Sequence, residues 1–235
     1  MSEVSRGEQT RRVIVDTALR LFGEHGYEKT TMRAIASGAG VSVGNAYYYF
    51  DSKEALVQEF YLQIQREHLS AVDAVLAGNG TFAEHLAGIL HAGVDAWTPY
   101  HAFAGKFIGL AAVPGSPLSP FSKESAESRE MALNVYQRFV SGTRLKMDPQ
   151  LRQELPEFLW LAQLGLVVYW VHDTSPGQRR TRRVIDLAVP FLHDLIGLSR
   201  MKVFRQMTLR TLEMFKLLNP YSGQIGTDHS DGTAT

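Results

Sequence analysis

The stretch Val41–Leu56, VSVGNAYYYFDSKEAL, sets Tyr47, Tyr48, Tyr49 and Phe50 side by side. A helix turns by about 100° per residue, so four neighbours meet four different surroundings. With Ala46 at the origin of a helical wheel, Phe50 lies about 40° away, and the two define an inward direction. Tyr48 then points the opposite way with Gly44 beside it. Tyr47 and Tyr49 fall on opposite flanks, and Asn45 shares the Tyr49 side. The reading is one aromatic anchor and three outward phenols. Such a fan suits a helix laid in a major groove, because each ring offers an apolar face to thymine methyls and a hydroxyl to a phosphate. Gly44 lets the backbone come close to bases, and Lys53 follows where a phosphate would be clamped.

Working outward, Thr31 is a capping residue for a short helix that carries Met32, Ile35, Ala36 and Ala39. GAGVS at 38–42 breaks it, and Ser42 caps the next short helix, which runs to Phe50. Gly40 tolerates the left-handed conformation that the turn needs. Small Ala36 allows close approach, and Val41 plugs the corner. Two short helices so joined form a helix-turn-helix. Before them, Val13, Ile14, Ala18, Leu21 and Phe22 make a helical stripe that ends at Gly26. After them, Asp51 or Ser52 caps a long helix that reaches about Ala77, and Glu54, three residues after Asp51, suits a capping box.

TTMRAIASGAGVSVGNAYYYFDSKEAL resembles the DNA-binding domain of the TetR family of transcriptional regulators, over roughly residues 9–56. The resemblance implies that Tyr47 touches base edges. It implies that Asn45, Tyr48, Tyr49 and Lys53 hold phosphates, helped by Thr31. Ser42, Val43 and Gly44 belong to the same presented end of the helix, and Arg33 and Arg11 or Arg12 are further phosphate candidates. Ala46 departs from the family, which usually carries Leu there.

Further helices are expected at 82–96, 99–112, 121–141, 153–173, 178–197 and 200–217, with a disordered tail over 219–235. No segment alternates with period two, so no strands are predicted. The fold class is all-α: a three-helix helix-turn-helix domain over 1–52, followed by a larger helical ligand-binding and dimerisation domain over 53–218. EFLWLAQLGLVVYWVHD is apolar nearly all round and calls for burial on more than one face. With RRVIDLAVPFLHDLI it is the candidate homodimer interface, near 153–173 and 178–197. Ala162 and Gly165 permit close contact there, and Pro190 is expected to kink its helix. TetR-like proteins commonly dimerise through their last two major helices, so the resemblance points the same way. The middle helices carry Trp97, Tyr100, His101, Phe103, Phe107, Tyr136, Phe139, Trp160 and Tyr169. Of these, Trp97, His101, Phe103, Phe107, Tyr136, Phe139, Trp160 and Tyr169 are the candidates for a small-molecule pocket.

The chain has 235 residues and zero formal net charge, but residues 176–218 hold nine Lys/Arg against three Asp/Glu. It has no cysteine, which excludes disulfides, thiolate metal sites and a cysteine nucleophile. No signal peptide or membrane-length apolar run is read, so a cytoplasmic location is expected. No P-loop, dinucleotide fingerprint, nucleophile elbow or zinc-protease motif occurs. An enzyme is therefore not expected, nor a metal or cofactor. The expected function is a DNA-binding repressor that a small organic effector releases from a palindromic operator. A DNA-binding activator or an architectural protein without an effector is the second reading. A helical interaction or small-molecule-binding protein that no longer reads DNA is the third.

Overall fold

Ser5 opens the first helix, α1 (Arg6–His25), in a reciprocal capping box with Glu8, and Gly26 at φ 86° ends it. Thr31 caps α2 (Met32–Gly38) and Ser42 caps α3 (Val43–Tyr49), each through its side-chain oxygen. Gly40, at φ 69°, turns the chain between them. Ala36 is fully buried, as a close approach requires. A second close contact lies at Gly38, where a Cβ would stand 2.9 Å from the Thr17 methyl of α1. The computed structural model describes residues 5–199 and the isolated positions Met201, Arg210 and Met214, with the side chains of Phe103 and Lys106 excepted. The helix expected at 200–217 and the tail from 219 lie outside the described residues.

α4 (Lys53–Ala77) begins at Ser52, whose hydroxyl accepts from the Ala55 amide at 3.1 Å. The Asp51–Glu54 capping box does not form. The Glu54 carboxylate is instead taken by the Tyr27 hydroxyl, which donates to it at 2.6 Å. The body continues as α5 (Phe82–Trp97), a 3₁₀ turn at Thr98–Tyr100, α6 (His101–Ala111), α7 (Ala126–Gly142), α8 (Pro149–Val171), a 3₁₀ turn at Pro176–Gln178 and α9 (Arg179–Leu198). Every regular element among the described residues is helical.

Two expected boundaries shift, each for a local reason. α7 starts at Ala126 rather than 121, because serine-anchored turns occupy the chain before it. There Ser122 donates to the Pro117 carbonyl at 2.9 Å and accepts from the Ser125 amide at 3.1 Å. α8 starts at Pro149 rather than 153. Asp148 caps it by accepting from the Gln150 and Leu151 amides, and proline is well suited to a first helical position. α9 runs through the exposed Pro190 without interruption.

Two hydrophobic clusters organise the chain. The first gathers α1–α3 around Ile14, Ala18, Phe22, Ile35, Ala46 and Phe50, and takes in Leu56, Val57 and Phe60 from α4. It also takes Phe107 from α6 and Leu118 from the loop beyond it. The second fills the body between α4, α5, α7, α8 and α9. The two meet along α4 and α6.

Polar contacts pin α1 and the end of α3 to α4. Arg11 of α1 donates to Glu59 at 2.5 Å while its guanidinium covers the Phe50 ring at 4.7 Å. Arg66 holds the other Glu59 oxygen at 3.0 Å. Burial works against the ionised carboxylate, but the hydrogen bonds from Arg11 and Arg66 outweigh it and hold its pKa below the ordinary 4.5. A depressed carboxylate contributes stability that is complete above its unfolded value and is lost as the pH falls through the folded one. Both arginines are partly exposed, so we expect Glu59→Gln to cost about 1 kcal/mol at neutral pH. In urea titrations the gap between variant and parent should close as the pH drops below 4.5.

Candidate nucleic-acid interface and effector cavity

α3 touches the rest of the chain with a narrow strip. Ala46 is its only buried residue, and Phe50, 3% exposed, closes it by donating its amide to the Ala46 carbonyl at 3.0 Å. Tyr47 and Tyr48 stand 51% and 82% exposed on the other side. Ser42, Val43, Gly44 and Asn45 are exposed at the same end. A Cβ built on Gly44 would meet nothing within 4 Å. Tyr49 behaves differently: it is half-buried, stands edge-on to Tyr48 at 5.2 Å, and brings its hydroxyl beside Gly7 of α1. Thr31 and Arg33 are exposed at the start of α2.

Lys53 is tied inward. Its ammonium donates to the Tyr27 carbonyl at 2.8 Å and lies 4.3 Å from the centre of the Tyr27 ring. An ammonium has three donors, so this leaves two for other acceptors. Tyr27 also packs against Phe22 at 5.0 Å and edge-on to Phe107 at 5.7 Å. Burial and the Glu54 carboxylate raise the pKa of its phenol far above the ordinary range, so it stays a donor.

Phe107 leads to a second feature, a cavity of about 260 Å³ in the body. α4 contributes Phe60, Tyr61, Ile64 and Gln65, and α5 ends on it with Trp97. Tyr100, Ala104, Phe107 and Ile108 close one side, and Ser128, Arg129 and Ala132 of α7 another. Trp160, Leu164, Val167 and Trp170 come from α8. Burial pushes the Tyr61 phenol up to about 12, and its hydroxyl donates to the Leu118 carbonyl at 3.2 Å.

A family model described as "Bacterial regulatory proteins, tetR family" matches residues 14–60. Another, "Tetracyclin repressor-like, C-terminal domain", matches residues 85–209, more than half of the chain. The chain belongs to the TetR family of transcriptional regulators. It is 29% identical to the HTH-type transcriptional repressor KstR2 of Rhodococcus jostii over 197 residues, which is 80% of this chain and 77% of that protein. It is 36% identical to the regulator BetI of Agrobacterium fabrum over 102 residues, covering 42% of this chain and 49% of that protein. The chain thus spans about half the length of BetI in that match. A TetR-family regulator from Syntrophomonas wolfei shares the fold, with a TM-score of 0.65 and 16% identity over 84% of this chain and all of that one.

Among the pocket candidates of this TetR-family chain, Trp97, Phe107 and Trp160 line the cavity. Four others stand elsewhere. Tyr136 is fully buried in the body core, where its hydroxyl donates to the Gln163 side chain, and burial raises its pKa far above the ordinary phenol range. Phe139 packs on Phe82 at 4.8 Å. His101 donates from Nε2 to the Trp170 carbonyl at 2.9 Å. Tyr169 points outward, 44% exposed. The reason is helical phase: these aromatics share segments with wall residues but not their faces. The Phe103 side chain lies outside the described residues.

Sequence reasoning missed Tyr27, which joins the reading domain to the cavity wall, and Phe60, Gln65, Arg129 and Trp170. The signal for α4 was present in Phe60, Tyr61 and Ile64, an apolar group one turn long. No helix among the described residues is long and apolar enough to cross a membrane.

The contrast within the aromatic run is measurable by chemical denaturation. Phe50→Ala should cost roughly 3–5 kcal/mol. Tyr48→Ala should stay within about 0.5 kcal/mol of the parent. Gly44→Ala should leave the fold intact, and it gains about 0.5–1 kcal/mol of helix propensity.

Proposed function

We propose that the chain is a homodimeric, ligand-responsive repressor that reads a palindromic operator with α3. One observation carries the reading: α3 buries Ala46 and leaves Tyr47 and Tyr48 outward, with an open backbone at Gly44. Among the described residues neither hydroxyl is hydrogen-bonded, and the ring contact of Tyr48 with Tyr49 lies within α3. Tyr47 is assigned to base edges; Tyr48, Asn45, Thr31 and Arg33 to phosphates, with Lys53 and Tyr49 in supporting phosphate contact. Lys53 reaches a phosphate with the donors that Tyr27 leaves over. The repressor sense comes from the likeness to KstR2, which is named as one.

A single domain of this size covers one half-site, and two copies are needed for a tight, specific operator complex. An apolar strip across α8 and α9 supports the pairing. Val168, Tyr169, Val184, Leu187 and Phe191 are exposed in the single chain, Leu187 by 58% and Phe191 by 70%. Ala162 and Gly165 are exposed on α8 too, and a Cβ on Gly165 would meet nothing within 4 Å. A two-fold axis beside this strip buries the same patch from both copies.

The cavity is the effector site in this reading. Phe107 belongs both to its wall and to the cluster beneath α1, and Tyr27 continues the contact to Lys53 at the start of α4. A ligand that displaces Phe107 therefore displaces the two half-site readers relative to each other. Inverting a 99:1 population takes about 5.5 kcal/mol of differential affinity.

Mobility shift with DNA from upstream of the chain's own gene tests the reading. Specific retention over competitor DNA at physiological salt is expected, and its absence overturns it. Tyr47→Ala should relax base preference. Arg33→Ala should weaken binding to all sequences and flatten the salt dependence by about one charge. Phe191→Asp should yield a monomer by sedimentation, with operator affinity lost and the fold retained.

A further inference from the structure

The cavity walls are rings, and its polar landmarks are unequal. Phe60 and Tyr100 stand edge to face at 4.7 Å, and Trp97 and Trp170 do so at 5.8 Å. Trp170 is 2% exposed and its indole N–H has no acceptor. His101 stands edge-on to the indole at 4.8 Å and donates to the Trp170 backbone carbonyl, so neither contact serves the indole N–H. A buried donor without a partner forfeits its hydration with nothing in return. Gln65, across the cavity on α4, also keeps a buried side-chain oxygen without a donor.

Charge narrows the ligand further. No Asp or Glu occurs among the described lining residues. Arg129 does line it, with Nη1 donating to the Pro120 and Ser122 carbonyls at 2.9 Å each and no carboxylate on it among the described residues. Aromatic walls alone would also suit a quaternary ammonium. A cage for a cation, however, does not place a guanidinium in its wall, nor leave an indole N–H waiting for an acceptor.

We propose that the cavity takes a ring compound bearing an acceptor oxygen, a carbonyl or a carboxylate, which accepts from Trp170 Nε1, and that it rejects cations. This rests on reading the cavity as a ligand site, and the ligand class holds whether or not binding releases DNA. A ring suits the site because it fills the space between the aromatic walls while losing fewer rotatable bonds on burial than an open chain of the same size.

The chain carries a built-in reporter, since all three of its tryptophans, Trp97, Trp160 and Trp170, line the cavity. The experiment titrates the full chain, followed by tryptophan fluorescence, with five compounds of matched size: cyclohexyl methyl ketone, cyclohexanecarboxylate, ethylcyclohexane, cyclohexylmethylammonium and the open-chain 2-octanone. At least one of the two oxygen-bearing ring compounds should bind roughly tenfold more tightly than ethylcyclohexane. It should also outrank 2-octanone, and the ammonium should not bind. Trp170→Phe should bring the oxygen-bearing ring compounds level with ethylcyclohexane, whatever the lost indole area costs all of them alike, read through the two remaining tryptophans. The proposal is overturned if ethylcyclohexane or 2-octanone matches the best oxygen-bearing ring compound, if the ammonium binds most tightly, or if no compound changes the fluorescence. Should Trp170→Phe lose its helical circular dichroism, the ranking in the unaltered chain decides alone. A mobility shift with the same compounds separates the two claims. The expected ranking without DNA release overturns the effector reading and upholds the ligand class; release by compounds in the wrong order does the opposite.

Discussion

α3 is seven residues long, and a helix of that length has no stability of its own in water. It exists because Ala46 and Phe50 are held in the cluster under α1 and because Ser42 caps its start. Every outward residue inherits its direction from those two buried ones. Ala46 brings only a methyl group to the contact, so more of the orientation falls to Phe50, which Arg11 covers from the far side. Arg11 is in turn held by Glu59 on α4. The pose of the reading face is therefore decided partly by a residue well into the body's first long helix.

The same economy runs the other way. Phe107 serves the cavity and the reading domain at once, and Tyr27 connects it to both Lys53 and Glu54 at the start of α4. An aromatic contact has two useful properties as a coupling element. It is stiff, and interiors packed at crystal density tend to have discrete rather than sliding alternatives. The bond from the Tyr27 hydroxyl to Glu54 has the same sense, since it ties the start of α4 to the turn that follows α1.

Much of this was legible in the residues. The aromatic run sorts on a helical wheel into one inward ring and three outward phenols, and Tyr49, on the flank, is the one of the three that the structure half-buries. Capping residues at Thr31 and Ser42 and the turn at Gly40 follow from local chemistry, which sequence carries well. The cavity was harder. Trp97, Phe107 and Trp160 share a wall with Phe60 and Trp170, which come from helices that a one-dimensional reading assigns to linking and to dimerising. Tyr136 and Phe139 have the same composition signal and serve the core. Which face of a helix meets which neighbour is a property of packing between distant segments, and it has no signature in either segment alone. The start of α8 is different, since Asp148 before Pro149 is a local capping signal that lies in the sequence ahead of the expected start.

Phe107 and Leu118 have a consequence for how such regulators are put together. They are body residues by position, yet they complete the hydrophobic cluster of the reading domain. Exchanging reading domains between relatives by cutting at residue 52 would leave Phe22 and Tyr27 facing a foreign α6. The portable unit is discontinuous: three helices, the first turns of α4 and a patch more than forty residues downstream of them. In the proposed reading, operator preference is inherited together with the wall of the cavity, so the two specificities are not free to be shuffled independently.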